Sequence, residues 1–447
     1  MTPGSIHGDT DGMRQTTVVA GGVAPVMRTG PVPSHAVREI GLRGFPRLGA
    51  LAGACVLLCS LSAAGAARMP GAPGVTLGPV QPEPRPPDVA LVLPTAGAAT
   101  DKIDYAALPR LHGTHVVVNP PDQVLAFQLH SYLAYHDGLY WCMWSQGPPT
   151  EDEPSQQVRY ATSADGLTWT AARPLTGAPE EGYAYIARGF WIRDGKLIAL
   201  VAHFKGQGAF GVNKELELRS LLWSEPNASW FSGPTLFKDA INNFPPEKLR
   251  TGEWAMSRRD SRFNVHMLLG GQRTMDDWTS IPVMRRLQFP GFVPDEPIWW
   301  QMRDGSLSSL YRDNGGSSWL FRSWSGDGGH TWTVPLQTNF PNSPSKLFSL
   351  EVGDGCRVLI SNANPAAGRT QLFLSASADG DLFTRMSLLD IPTRPGDTLQ
   401  YPHALLQDGH LLIVFSRNKN SIELFRPALE DILPLCAATA AHEQPAR

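Results

Sequence analysis

Six polar or ionisable residues open apolar segments at a regular distance from a turn aspartate. Each lies six to eight residues before its aspartate, and they are His130, Arg188, Glu253, Glu296, Lys346 and Tyr401. Carboxylate and phenol groups can transfer protons or attack an electrophile, and cationic groups can hold an anionic ligand. A lone polar residue at a strand start is usually only solvated. Six in register indicate a functional face of the protein.

The segments that carry these residues share one form, which is an apolar strand, a tight turn and a second apolar strand. Their Asp-Gly turns are centred on Asp137, Asp194, Asp304, Asp354 and Asp408. Asp-Gly is a strong hairpin signal because both residues tolerate positive φ. One gap is two periods long, and Asp260 lies at its middle in a turn without glycine. The chain therefore contains six units of roughly fifty residues, each long enough for four short strands.

A second repeat, a Ser-x-Asp-Gly turn followed by an aromatic residue, comes after several hairpins. It occurs at Ser163–Trp169 and Ser325–Trp332, in degenerate form at Ser377–Phe383, and faintly at Ser224–Trp230. The aspartate can accept hydrogen bonds from its own turn while the ring packs beneath, so this turn is structural. The repeats predict an all-β fold, a six-bladed β-propeller over residues 110–428. A two-sheet sandwich would not explain the fixed period.

The hairpin around Asp304 offers a charge pair. Glu296 lies eight residues before this aspartate and Arg312 lies eight residues after it. Antiparallel pairing therefore sets the two side chains nearly opposite each other. They form either an ordinary cross-strand ion pair or part of a site.

The Ser-x-Asp-Gly turns are similar to the Asp-boxes, or BNR repeats, of sialidases. Ser325–Trp332 follows the consensus S-x-D-x-G-x-x-W closely. Asp-boxes also occur in propellers that are not enzymes, but the order of Glu296, Arg312, Arg369 and Tyr401 around them resembles the sialidase order as well. The resemblance covers roughly residues 110–428.

This resemblance implies an exo-acting glycoside hydrolase. Tyr401 would be the nucleophile and Glu296 the base that takes its proton, an exception to the two-carboxylate rule of glycosidases. Glu151 and Asp152 lie in the loop before the first Asp-box, where the family has its acid/base aspartate. The residues expected to bind substrate are Arg312, Arg369, Arg188, His130, His403, Lys346 and Glu253.

One motif departs from the family. Sialidases begin with Phe/Tyr-Arg-Ile-Pro, whose arginine completes a triad around the substrate carboxylate. This chain has Gln128-Leu-His130-Ser-Tyr132 at that place. Histidine cannot supply a bidentate fork. The substrate can therefore be sialic acid, a related acidic sugar or another glycan.

Two further function classes stay open on the sequence. A polysaccharide lyase on the same scaffold would use Tyr401 with His403 or His130 to abstract a proton beside a uronate carboxylate. A propeller without catalysis would only bind glycans. The spacing of cysteines and histidines indicates no metal site, and we expect no cofactor.

Composition narrows the partners. The chain has 447 residues, 42% of them hydrophobic, and a net charge of −3. The hydrophobic share suffices for a packed core, and the charge gives no basic surface for a nucleic-acid backbone. We expect a monomer that acts on a glycan and binds no nucleic acid.

The N-terminal hundred residues differ from the rest. Leu48–Ala66 carries no charge and follows three arginines, which predicts a signal peptide over residues 1–66 and a secreted or periplasmic protein without stable membrane insertion after cleavage. A membrane anchor is the alternative. Residues 67–109 are rich in Pro, Gly and Ala and predict a tether, and residues 429–447 form a tail. The cysteines left after cleavage are Cys142, Cys356 and Cys436, an odd number that indicates no disulfide framework.

Overall fold

The computed structural model of the chain describes residues 88–353 and 355–437. The predicted signal peptide, residues 67–87 of the predicted tether, the turn residue Asp354 and residues 438–447 lie outside that range. Within it, the strands form six sheets around one axis. The predicted six-bladed β-propeller is therefore confirmed.

The strands follow the repeat. The first ones are β1 (Arg110–Leu111), β2 (Gly113–Asn119), β3 (Phe127–His136), β4 (Leu139–Gly147), β5 (Gln157–Ser163) and β6 (Arg173–Pro174), of which β3 to β6 form blade one. Blade two comprises β7 (Tyr183–Arg193), β8 (Lys196–Lys205), β9 (Glu217–Ser224) and β10 (Ser229–Lys238). Blade three comprises β11 (Ile241–Asn242), β12 (Glu247–Lys248), β13 (Trp254–Arg259), β14 (Val265–Gly270) and β15 (Trp278–Met284).

The remaining blades have the same order. Blade four comprises β16 (Pro294–Gln301), β17 (Leu307–Asp313), β18 (Trp319–Ser325) and β19 (Leu336–Pro341). Blade five comprises β20 (Phe348–Gly353), β21 (Cys356–Ser361), β22 (Phe373–Ser377) and β23 (Phe383–Leu389), with β1 added in parallel to β23. Blade six comprises β24 (Leu399–Gln407), β25 (His410–Arg417) and β26 (Ser421–Pro427).

The two ends of the propeller close the ring. Blade six takes its outer strand from the start of the domain, because β2 pairs antiparallel with β26. The inner strand β24 lies against β3, and β3 lies against β7. Closure of this kind leaves few sheet edges exposed.

The hairpins of the blades define two faces of the disc. Asp137, Asp194 and Asp408 have φ near 50°, and each is followed by a glycine with φ above 70°. This is the type I′ geometry that the Asp-Gly signal predicted. We call the face with these hairpins the hairpin face, and the face on which the inner strands begin the site face.

Blade three corrects one prediction. Its first hairpin lies at Leu249–Glu253, where the Leu249 N–H donates to the Glu253 carbonyl at 2.8 Å. The predicted turn at Asp260 exists, but it joins β13 to β14 on the site face. Two prolines interrupt the inner strand, which splits into β11 and β12, because proline lacks the N–H that a strand ladder needs. The sequence pattern therefore detected the second hairpin of this blade.

The Asp-box turns have the predicted internal bonds. In the first box, Ser163 Oγ donates to Asp165 Oδ1 at 2.9 Å, and Thr168 N–H donates to the same carboxylate at 2.7 Å. Ser325 and Asp327 repeat this contact at 2.8 Å. Hydrogen bonds from Thr331 hold the pKa of Asp327 at about 2. These turns therefore have a structural role on the hairpin face.

The predicted tether is wrong for residues 88–109, which pack on the propeller. Leu91 is fully buried among side chains of blades four and five. Asn339 Oδ1 accepts the N–H of Leu91 at 3.0 Å. Asp88 pairs with the buried Arg322 at 2.6 Å. The Pro-, Gly- and Ala-rich composition gave a wrong prediction for these residues, because a few apolar side chains and one buried ion pair suffice to bind a proline-rich segment to the propeller.

The predicted tail begins with ordered structure. It contains α1 (Leu429–Ile432) and a 3-10 turn over Leu433–Cys436. A disulfide joins Cys436 to Cys356, with 5.5 Å between their Cα atoms. The odd cysteine count had indicated no disulfide, but the fold brings these two together and leaves Cys142 buried and free. No helix among the described residues is long and apolar enough to cross a membrane.

Candidate active site

Four inner strands carry the same irregularity where they start on the site face. The strand ladder skips two residues in each, and the first skipped residues are His130, Arg188, Glu296 and Tyr401. His130 and Tyr401 have φ of 57°, and Glu296 has φ of 44°. Such bulges turn a side chain out of its ladder, and positive φ at non-glycine residues is often found at functional sites. Four of the six residues that were predicted in register therefore lie in the same kind of backbone bulge.

Tyr401 lies among three of the other predicted residues. Its ring meets that of His130 edge to face, with centroids 5.4 Å apart. Lys346 Nζ lies 5.8 Å and the Arg369 guanidinium carbon 5.9 Å from the Tyr401 ring centroid. The phenol is 7% exposed. The residues that the sequence placed in separate blades thus meet around one buried phenol.

The pKa of Tyr401 reflects this environment. Burial raises the pKa of the phenol well above its usual range, and the negative charges of Glu296 and Glu151 raise it further. Arg312 and Arg369 act in the opposite direction. The phenol is therefore neutral and needs a base before it can act as a nucleophile.

Glu296 is held by a buried ion cluster. Its Oε2 forms an ion pair with Arg312 Nη1 at 3.0 Å, and Arg312 Nη2 donates to Asp295 Oδ2 at 2.7 Å. Arg259 also pairs with Asp295. Burial would raise the pKa of Asp295, but Arg259 and Arg312 lower it to about 2. The carboxylates and guanidinium groups therefore fix one another's positions.

Arg369 reaches the site from the loop between β21 and β22. Its Nη1 donates to Gln400 Oε1 at 2.6 Å, and its Nη2 donates to the Pro344 carbonyl. These partners are neutral, and no carboxylate of the described residues forms an ion pair with it. The positive charge of Arg369 is available to a ligand.

Lys346 is buried at the centre of the cluster. Its Nζ donates to the Tyr132 hydroxyl at 2.7 Å and to the Asn243 carbonyl at 3.1 Å. It also lies 4.2 Å from the ring centroid of Phe244. Burial, followed by the charge of Arg188, holds the pKa of Lys346 well below its usual range.

Asp152 lies in the loop between β4 and β5 with φ of 57°. Burial, followed by the charge of Glu151, raises the pKa of Asp152 to about 7. Its Oδ1 is buried with no hydrogen-bond partner in the described part of the chain. The neighbouring Glu151 forms an ion pair with Lys419. Asp152 is therefore protonated for part of the time at neutral pH, as a general acid requires.

His130 stands where the family pattern has its first arginine. Its Nδ1 lies 3.2 Å from Ser145 Oγ, and that oxygen already accepts the N–H of Ala187 at 2.9 Å. Nε2 lies 3.9 Å from Glu151. Burial, followed by the charge of Arg188, lowers the pKa of His130 well below its usual range. The site therefore has a neutral ring at this position.

Of the remaining predicted residues, Glu253 lies away from this cluster and His403 lies at its edge, with its ring 5.4 Å from that of Tyr132. Glu253 is part of the blade-three turn on the hairpin face, where the adjacent Arg250 N–H donates to Gln301 Oε1. It was misplaced because the turn at Asp260 was taken for the first hairpin. His403 packs against Phe348 at 4.3 Å, and its Nδ1 accepts the N–H of Leu133. Glu253 is therefore not among the residues that meet around Tyr401, and the role of His403 in substrate binding stays a prediction.

Sequence reasoning missed three charged members of the site. Asp295 adjoins Glu296 in the sequence Pro-Asp-Glu-Pro, and this doubled acid was a usable signal. Arg259 lies at the end of β13, which was assigned to the wrong position in its blade. Lys419 lies between β25 and β26, and only the fold brings it to Glu151.

Positive charge exceeds negative charge in the site. Its cationic residues are Arg188, Arg259, Arg312, Arg369, Lys419 and Lys346, and burial lowers the pKa of Lys346. Its acids are Glu151, Asp152, Asp295 and Glu296. Such a balance favours an anionic ligand. The described residues contain no cluster of His, Cys, Asp or Glu that could hold a metal ion.

The fold and the residues around its axis define a six-bladed propeller of the sialidase type. The sequence model of one protein family, the BNR repeat-like domain, matches residues 132–413. The chain belongs to this family. No curated protein matches the sequence.

Solved structures share the fold at low identity. A protein of unknown function from Dyadobacter fermentans is 15% identical with a TM-score of 0.55, over 70% of this chain and 97% of that one. The sialidase of Trypanosoma rangeli, solved with sialic acid, is 15% identical with a TM-score of 0.54, over 74% and 61%. The NanB sialidase of Streptococcus pneumoniae is 11% identical with a TM-score of 0.56, over 71% and 70%. At these identities the likeness shows the fold alone.

Proposed function

We propose that the protein is an exported, monomeric glycoside hydrolase that removes an acidic sugar from a glycan, with Tyr401 as the nucleophile. The observation that carries the proposal is that Glu296, Arg312 and Arg369 surround the buried phenol of Tyr401. The sialidase-type fold supports the same reaction class.

The first step forms a bond between the Tyr401 oxygen and the anomeric carbon. A phenol suits a sugar whose anomeric carbon carries a carboxylate, because a neutral nucleophile avoids repulsion between two anions. Glu296 accepts the phenol proton, and the C–O bond to the leaving group breaks. Water then displaces Tyr401 from the sugar, and the phenol regains its proton.

Asp152 supplies the proton for the leaving oxygen. Its pKa of about 7 keeps the acid form available at neutral pH. After transfer, the Asp152 carboxylate can accept a proton from the attacking water, which completes an acid and base cycle. Glu151 is bound to Lys419 and contributes charge rather than a proton.

Arg369 and Arg312 recognise the substrate carboxylate. Arg369 has only neutral partners, so it can give a full charge-assisted hydrogen bond to a ligand. Arg312 is already paired with Asp295 and Glu296. We infer that it adds charge near the carboxylate while Arg369 makes the stronger contact.

A substrate screen tests the proposal. The purified chain from residue 67 onward is incubated with sialosides and with uronate-containing oligosaccharides, and released sugar and ultraviolet absorbance are followed together. Release of an acidic monosaccharide without new absorbance is expected. An unsaturated, absorbing product would replace the hydrolase by a lyase, and binding without turnover would leave a glycan-binding propeller.

A further inference from the structure

Arg188 is a buried cation without an ion-pair partner among the residues that the structure describes. The residue is 2% exposed. Its Nη1 donates weakly to the Asn242 carbonyl at 3.4 Å, it interacts with the Tyr132 hydroxyl, and its Nε has no hydrogen-bond partner in the described residues. No carboxylate of the described residues lies within ion-pair distance of Arg188. Burial of an unpaired charge is costly, and buried charges are normally paired.

The other two buried arginines of the site have carboxylate partners. Arg259 pairs with Asp295, and Arg312 pairs with both Asp295 and Glu296. Asp152 is the acid whose pKa Arg188 lowers, yet that pKa is still about 7, so its negative charge is incomplete at neutral pH. Arg188 therefore lacks the compensation that its neighbours have.

Arg188 lies across the axis from Arg369. The first belongs to the inner strand of blade two and the second to blade five, and these blades face each other in a six-membered ring. The Arg369 guanidinium contacts Gln400 and Tyr401 of blade six, whereas that of Arg188 contacts Asn242 of blade three, so a carboxylate held by Arg369 leaves Arg188 free for a second group. The bulge in β7 turns Arg188 out of its ladder at the level of His130, Glu296 and Tyr401.

We infer that Arg188 is the centre of a second anion subsite and that the substrate carries two anionic groups. The first is the sugar carboxylate at Arg369, and the second is a carboxylate or a sulfate ester on the same sugar or on its neighbour. This inference rests on the proposed function only for the statement that the ligand is an acidic glycan. Both candidate groups are planar or tetrahedral oxyanions that a guanidinium fork can bind through two hydrogen bonds.

Direct binding tests the inference without relying on turnover. Calorimetry is done on the Tyr401→Phe protein, which lacks the nucleophile. The singly charged ligands are N-acetylneuraminic acid and glucuronic acid. The doubly charged ligands are a disialic acid, with two carboxylates, and a uronate disaccharide with one sulfate ester. One doubly charged ligand should bind about tenfold or more tightly than its singly charged counterpart, the effect of one charge-assisted hydrogen bond.

Two substitutions on the same strand locate the effect. Arg188→Met should abolish the preference for the doubly charged ligand, and Arg193→Gln, at the hairpin end of β7, should retain it. Arg188→Met should also leave the melting temperature of the free protein unchanged or raise it, because it removes an uncompensated buried charge. Arg188→Gln keeps a donor for Asn242 and serves as the second neutral variant.

Three outcomes would overturn the inference. They are equal affinity for the two ligand classes in the parent protein, a preference that survives in Arg188→Met and Arg188→Gln, and a preference lost equally in Arg193→Gln. Loss of the preference in the Arg188 variants alone supports it. Failure of the proposed function is a separate result, since it is read from the wild-type substrate screen.

Discussion

Blades four to six and blades one to three contribute different kinds of ionisable groups to the site. In blades four to six, the first half, Glu296, Asp295 and Arg312 form an ion cluster beside Tyr401, which Arg259 of blade three completes. In blades one to three, the second half, Arg188 has no ion-pair partner among the described residues and Asp152 has a pKa of about 7. Paired charges are already fixed in place, as a preorganised catalytic group must be. Unpaired groups remain available for a proton or a ligand.

The difference explains how the chain can match a family pattern in one half and depart from it in the other. The residues that resemble sialidases, Glu296, Arg312, Arg369 and Tyr401, all lie in blades four to six. The neutral His130 stands in blade one, where that pattern has an arginine. We infer that the first half carries the nucleophile, its base and the arginines for the substrate carboxylate, and that the second half carries the proton donor and sets the rest of the substrate. Three predictions test this division.

The largest effect is expected from the nucleophile pair. Tyr401→Phe keeps the ring packing but removes the phenol, so turnover should fall by a factor on the order of a thousand or more. Glu296→Gln should slow the same step, and the two losses should not add, because the groups act as one unit. Steady-state kinetics on a substrate from the screen measures both. Tyr311→Phe, which loses a buried phenol bonded to Ser323 outside the site, is the control, and wild-type turnover in Tyr401→Phe would refute the mechanism.

Asp152 should give the next largest effect, and it is the one catalytic group expected in the second half. Its pKa is raised, so the acid form is present below about pH 7 and is lost above it. We expect kcat to fall as the pH rises through about 7. Asp152→Asn should lower kcat on the order of a hundredfold for a sugar leaving group, but far less for a nitrophenol that leaves without protonation. Glu153→Gln in the same loop is the control, and equal losses for both leaving groups would remove Asp152 from the acid role.

The smallest effect is expected at His130. Its ring is neutral because its pKa lies well below the usual range, so it contributes a hydrogen bond rather than a charge. His130→Gln should change KM by less than about fivefold, the size of one neutral hydrogen bond. The activity profile between pH 6 and 8 should stay the same. Disappearance of a pH-dependent step in this variant would show that His130 titrates during the reaction and would shift chemistry into the second half.

The repeat was predictable because its signals are local. Asp137 and Gly138 form their turn through backbone conformation alone, and Ser163 and Asp165 bond within one short loop. The order of Glu296, Arg312 and Tyr401 was readable because each stands at a fixed position in such a unit. The first hairpin of blade three was not predicted from such local signals, because prolines interrupt the inner strand of that blade.

The sequence by itself determined the number of blades, the hairpin turns and the catalytic candidates in blades four to six, since short-range bonds and strand periodicity control all of these. Only the tertiary structure decided which charges meet. The pairing of Lys419 with Glu151 joins residues 268 positions apart, and the docking of Asp88 on Arg322 joins residues 234 apart. The lack of a carboxylate paired with Arg188 in the described part of the chain is likewise a property of three-dimensional surroundings. Burial and ion pairing depend on contacts between blades, and no local pattern in the chain encodes those contacts.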